Sequence, residues 1–341
     1  MILSRISSNK RIIGTFAAVF MVAAILSGCG AGGTATKNSQ GENGKSAVQD
    51  IKIGYVDILA DAPAIIAKEK HTMDQQGVKS EFFAFENGPD LYKALSSGKL
   101  DFAYAGVPAA VNWLSRGAQF KIIAKVDDGK FGLLTKASSG IRQPSDLKGK
   151  KLGNVVKGSG VDLLVRGFLL PEAGLNQQSV TLVQMNMANM EQAIDNGAID
   201  AAVAGEPFLT FAELRGLKVV KELPDPGMVV LAREAFLKEH PDLVKTFMQG
   251  HIASIDFIHQ HQQEAAAILA KSFHVPEIKN NGKNYTPTQI MMAAMKRNAF
   301  DAAFTNNDIQ FYKKIADTNL KLKLIDKPLD ITQFIDRSLS Q

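Results

Sequence analysis

One cysteine, Cys29, is all the chain holds, so no disulfide can form within it. No Gly-x-Ser-x-Gly elbow, His-Glu-x-x-His helix or complete Gly-x-x-x-x-Gly-Lys-Ser/Thr phosphate loop occurs among its 341 residues. The six histidines include no pair four residues apart, the spacing that would place two zinc ligands on one helix face, and no metal site is expected. Gly158 and Gly160 open a Gly-x-Gly, but the third glycine of a dinucleotide fingerprint would fall at Leu163. Without a nucleophile and its base, a ligand cluster or a cofactor fingerprint, the residues favour binding over catalysis and imply no cofactor. A basic stripe is missing as well. Residues 1–28 contain Arg5, Lys10 and Arg11 and no acid, so removing them lowers the formal net charge from +5 to about +2. The remaining Lys and Arg are scattered, not interleaved with aromatics, and nucleic acid is not an expected partner.

What the chain does have is a phrase said twice. Ala94–Pro108 and Ala193–Pro207 share Ala94/Ala193, Gly98/Gly197, Asp101/Asp200, Ala103/Ala202, Ala105/Ala204, Gly106/Gly205 and Pro108/Pro207. Unrelated segments of that length match at about one position. Each copy reads as a helix stopped at Gly, a short buried strand, and a new helix entered at Pro. In an open α/β sheet the junction of strand end and helix start is where ligands bind, so two copies predict two lobes facing one cleft.

The chain in order supports that organisation. Ile12–Leu26 is an apolar stretch of fifteen residues behind a basic start, too short to span a membrane, and reads as an export signal. Leu26-Ser-Gly-Cys29 resembles the lipobox of bacterial lipoproteins, which implies that Cys29 becomes the lipidated first residue of the mature protein. Residues 29–50 are rich in Gly, Ser, Thr, Asn and Gln and should form a flexible tether. Strands are expected at Ile51–Val56, Val78–Phe85, Phe120–Val126 and Phe131–Thr135, with helices at Ala62–Lys70 and Asp90–Ser97. A second set follows, with strands at Val180–Gln184, Ala201–Ala204 and Gly227–Arg233 and an amphipathic helix at Val161–Leu170; residues 241–341 read as mostly helical. Lys157-Gly-Ser-Gly160 leads into that helix with bare backbone and one hydroxyl, a setting suited to an anion. Met185, Met187 and Met190 would make an adaptable wall near a cleft or simple core filling, and Tyr92 and Trp113 read as core.

The order of these motifs resembles one family, the extracytoplasmic solute-binding proteins of ABC importers in the nitrate, sulfonate, taurine and thiamine-precursor group. The residues that carry it are the lipobox, Ser97–Pro108, Asp146-Leu-Lys-Gly-Lys-Lys151, Lys157–Gly160, the strand after Ala193 and Glu206-Pro207. The resemblance implies an α/β fold with two lobes of periplasmic-binding-protein type II, a cleft between them and two crossover segments near Lys130–Lys136 and Gly227–Arg233. Lobe 1 would be residues 51–135 with 228–341, and lobe 2 residues 136–227. The implied ligand contacts are Asp57, Asp61, Asn87, Gly88, Gly106, Val107, Lys157, Gly158, Ser159, Gly160 and Glu206. The implied function is capture of a small anionic or zwitterionic solute by a lipid-anchored monomer on the outer face of the cell membrane, for delivery to a permease with its ATPase. A pyrimidine ligand, or an enzyme or sensory module on the same fold, are the alternatives. Gly205-Glu206-Pro207 follows the nitrate pattern, but Phe208 stands where that group usually has Trp. A carboxylate beside a bare anion is repelled by ~1 kcal/mol at 4 Å in water and by more when desolvated. Glu206 therefore either meets a positive or donor group on the ligand, or caps its own helix and points away.

Overall fold

The computed structural model describes residues 50–74 and 78–340. The expected signal peptide, Cys29 and the tether up to residue 49 lie outside the described residues. Two five-stranded mixed sheets carry the fold. In chain order the first half of the elements are β1 (Asp50–Val56), α1 (Ala62–Lys70), β2 (Lys79–Phe85), α2 (Gly88–Ser96), β3 (Phe102–Gly106), α3 (Val107–Leu114), β4 (Phe120–Asp127) and β5 (Lys130–Lys136). Then come β6 (Lys151–Asn154), α4 (Gly160–Leu164), α5 (Leu170–Glu172), β7 (Thr181–Gln184), α6 (Met190–Asp195), β8 (Ala201–Ala204), α7 (Phe208–Leu214), β9 (Leu217–Pro224) and β10 (Met228–Arg233). The remainder is mainly helical: α8 (Glu234–Glu239), α9 (Pro241–Gln260), α10 (Gln262–Ser272), the hairpin β11 (Ile278–Asn280) and β12 (Lys283–Tyr285), α11 (Pro287–Met295) and α12 (Asn306–Lys321). No helix among the described residues is long and apolar enough to cross a membrane.

Sheet one runs β2-β1-β3-β10-β4 and sheet two β7-β6-β8-β5-β9. In each, the first three strands are parallel and the fourth is antiparallel to both its neighbours. That fourth strand is supplied from the far side of a crossing. The strand Lys130–Lys136, expected as a crossover, lies wholly in sheet two, so the chain passes between the sheets at Asp128–Gly129 and returns at Asp225–Gly227. The two segments are tied together, since the Asp225 N–H donates to the Gly129 carbonyl at 2.9 Å.

The repeated phrase is the same object in both sheets. Gly98 and Gly197 each end a helix at φ +76°, a left-handed conformation that costs a residue with Cβ about 1 kcal/mol or more. Asp101 exchanges hydrogen bonds with the backbone of Lys52, accepting at 3.0 Å and donating at 2.8 Å; Asp200 does the same with Lys151 at 2.8 and 2.9 Å. The strands between are buried on both faces because each sheet is covered on both. Phe102 and Tyr104 of β3 face α1 and α9, while Ala103 and Ala105 face a second core that also holds Leu133, Leu152 and Val203 of sheet two. The third core fills the outer face of sheet two with Leu134, Ile194 and Leu209.

The expected Val161–Leu170 helix is instead a helical run from Gly160 to Glu172 broken by a π turn at Val165–Leu169. Pro171 has no N–H to give Gly167, which explains why the regular ladder gives way there. A Cβ at Gly167 would run into Thr318 of α12, so the widened turn sits where two helices approach closely.

Candidate ligand cavity

Three helix starts converge on one cavity of about 100 Å³. Asn87 caps α2, its side chain accepting from the Asp90 N–H at 3.0 Å and donating to the Asp90 carboxylate at 2.9 Å. Gly106 precedes α3, and Ser159 caps α4, accepting from the Asp162 N–H at 3.2 Å. First-turn N–H groups have no partner within their helix, and each helix start carries roughly half a positive charge. Asn87, Gly88, Gly106, Ala109, Ser159, Gly160 and Val161 all line the cavity. Its walls are apolar, with Val56, Ile58, Phe131, Val155, Val156, Met187 and Met228. Tyr92 closes the floor, its hydroxyl donating to the Gly106 carbonyl at 2.6 Å and its ring stacked near Trp113. Among the described residues, no Lys, Arg or His lines the space. Two acids do, Glu86 and Asp225.

Of the residues implied by resemblance, Asn87, Gly88, Gly106, Ser159 and Gly160 therefore share one cavity. The others stand elsewhere. Val107 is buried and spends its N–H on the Gly227 carbonyl at 2.9 Å. Lys157 is exposed, and the Gly158 N–H donates to Asp162 at 2.8 Å. Asp57 is exposed beyond the end of β1. Asp61 is fully buried below the cavity, where it accepts from the Val56 N–H at 2.8 Å; burial pushes its carboxyl well above the usual range, and its Oδ1 has no partner.

Glu206 has its own helix and its own cation. It accepts from the Thr210 N–H at 3.0 Å, the Thr210 hydroxyl at 2.9 Å and Arg297 at 2.9 Å, capping α7 without lining the cavity. Burial still lifts its carboxyl above the ordinary value against those three donors. Arg297 also reaches Glu213 at 2.7 Å and Glu222 at 3.2 Å.

Sequence reading missed Asp225, Phe131 and the two Val of the β6–α4 loop, which reach the cavity only through the crossing and the second sheet. Met187, one of three methionines weighed for a wall, lines it; Met190 is core. At the crossing, Asp127 is fully buried and accepts from Gly129 N–H at 2.9 Å, Asn298 at 2.7 Å and Ala299 N–H at 2.8 Å. Burial outweighs these donors and pushes it up to about 7. Among the described residues no group of three or more His, Cys, Asp or Glu is arranged to hold a metal ion.

A model of the NMT1/THI5 like family matches residues 60–265, more than half the chain. The chain belongs to that family. A Bacillus subtilis (strain 168) relative whose assigned role is aliphatic sulfonates binding is 28% identical over 97% of this chain and 95% of its own length. A Schizosaccharomyces pombe (strain 972) relative named 4-amino-5-hydroxymethyl-2-methylpyrimidine phosphate synthase is 24% identical over 58% of this chain and 61% of its own. The fold matches the periplasmic aliphatic sulphonate binding protein SsuA of Escherichia coli with a TM-score of 0.71 at 21% identity, covering 86% of this chain and 99% of that one. The fold is thereby that of periplasmic binding proteins, with its two mixed sheets.

Proposed function

We propose that the solute is a small organosulfonate anion, and that the protein is the binding subunit of an ABC importer. The observation that carries this is the convergence of three helix starts on an apolar cavity without a cationic side chain. Such starts hold a compact anion through backbone N–H groups and the helix dipole. The apolar wall calls for a hydrocarbon tail, which nitrate and bicarbonate lack, at about 25 cal/mol for each Å² of apolar surface buried. The Bacillus and Escherichia proteins named for aliphatic sulfonates support the same class.

In this reading the lobes are residues 50–128 with 226–340 and residues 129–225, hinged where the chain crosses. Closure hides the solute from water, and a permease with its ATPase receives the closed form. Binding involves no bond chemistry. The protein is exported and held to the membrane as a monomer by lipid on Cys29.

Thermal unfolding with butanesulfonate, taurine, nitrate and an aminopyrimidine tests the solute. A ligand at 100 times its Kd adds about 2.7 kcal/mol to stability, so butanesulfonate raises the transition by several degrees and nitrate does not. A rise with the aminopyrimidine alone overturns the sulfonate reading. For the anchor, Cys29→Ala leaves the precursor uncleaved or releases the protein; processed, membrane-bound Cys29→Ala protein refutes lipidation.

A further inference from the structure

The cavity offers its anion one puzzling neighbour. Asp225 is 6% exposed, sits at the return crossing and lines the space where the solute is proposed to bind. Its Oδ1 accepts from the Gly227 N–H at 2.7 Å, and Oδ2 has no partner among the described residues. The role that sequence reading offered Glu206, a carboxyl facing the ligand, falls to this residue.

Donor supply distinguishes the two acids of the crossing. Asp127 receives three N–H donors; Asp225 receives one. We propose that Asp225 is the side chain with which the cavity selects its solute, its carboxyl in the neutral form donating a hydrogen bond to the anionic head group. The proposal rests on the organosulfonate reading. An ionised Asp225 would repel that head at close range in a space with no compensating cation.

The groups around Asp225 favour the proton. Asp127 and Asp128 stand at the end of β4 and Asp61 on the loop after β1, all acting to raise it, after burial itself as the largest cause. Tyr312 of α12 feels its charge. From sheet two, Glu206 and Lys130 flank the small neighbouring pocket that Asp225 also lines, and Glu86 faces the main cavity from the other lobe. Lys130 is the one cation among them; it is more than half exposed and paired with Glu222 at 2.9 Å. Glu206 is answered by Arg297. Below the pH at which the free carboxyl ionises the proton is already in place; above it, the carboxyl takes one from solvent as the sulfonate enters.

Calorimetric titration of the full-length protein in detergent with butanesulfonate, at pH 6, 8 and 10 in buffers of different ionisation heat, tests this directly. Wild-type affinity falls by up to about tenfold per pH unit on the alkaline side, and up to about one proton is taken up per sulfonate bound. Asp225→Asn keeps a donor but cannot ionise, so it binds butanesulfonate with the same affinity at all three pH values and takes up no proton. Equal wild-type affinity at pH 6 and 10 without proton uptake at pH 10 overturns the proposal even if the variant does not fold. Taurine bound far more tightly than butanesulfonate, and lost in Asp225→Asn, also overturns it, because the carboxylate would then be meeting an ammonium. A folded wild-type protein that binds no sulfonate at any pH takes down the solute reading itself, and this one with it.

Discussion

Asp127 and Asp225 share a buried crossing, yet their donors ask opposite things of a substitution. Asn at 127 would set an amide N–H against Gly129, Asn298 or Ala299, leaving a buried donor unmet at about 1–3 kcal/mol. Asn at 225 keeps an acceptor for Gly227 and loses only a charge that burial disfavours. The pH dependence follows from the sign of the shifts. Both acids titrate higher in the folded protein than in the unfolded chain, so the folded state binds more protons between the two values. Stability from Asp127 is fully present below the unfolded value near 3.9 and is lost as pH rises towards about 7. Asp225 extends that loss further up. Thermal unfolding between pH 4 and 9 should show the wild type weakening with pH, Asp225→Asn weakening less, and Asp127→Asn lowered throughout.

At the scale of elements, the repeated unit makes a prediction that neither copy makes alone. Asp101 and Asp200 tie the start of a third strand to the first strand of their sheet by the same pair of hydrogen bonds. Asp200→Ala should cost about 1 kcal/mol, the worth of the side-chain bond, and Asp101→Ala more, because Arg233 also bonds Asp101 at 2.7 Å. Urea unfolding midpoints check the order. The unit was legible in the sequence because everything that makes it is local: a Gly that turns left, an Asp, four small or apolar residues, a Pro. Helix entries at Asn87 and Ser159 were legible for the same reason. Asp225 was not, since an Asp-Pro-Gly reads as a plain turn until Gly129 is placed beside it. Phe131 looked like part of a crossing because a buried antiparallel strand has no mark of which sheet will take it. Glu206 left two readings open, and the donors it meets, Thr210 in its own helix and Arg297 ninety-one residues on, are those of the capping one.

Across the whole molecule, Arg297 is the point where the helical C-terminal region grips the second sheet's side. It spans Glu206 after β8, Glu213 in α7 and Glu222 in β9. Removing it leaves the Glu206 carboxylate buried without its cation, a loss of about 3 kcal/mol, and Arg297→Lys recovers little because one ammonium cannot meet three carboxylates in that fork. Chemical denaturation of wild type, Arg297→Ala and Arg297→Lys measures both numbers; an Arg297→Ala midpoint equal to wild type would show the grip to be idle.

The exchange of fourth strands has a consequence for the order of synthesis. Within their sheets, β4 pairs with β10 alone and β9 with β5 alone. Until the ribosome has delivered Met228–Arg233, β4 has no neighbour in its sheet and β3 has an open edge. The amino-terminal half therefore cannot finish folding ahead of the rest, however long it waits. For a chain exported as proposed above, this delay keeps it threadable until about two thirds of its 341 residues have been made.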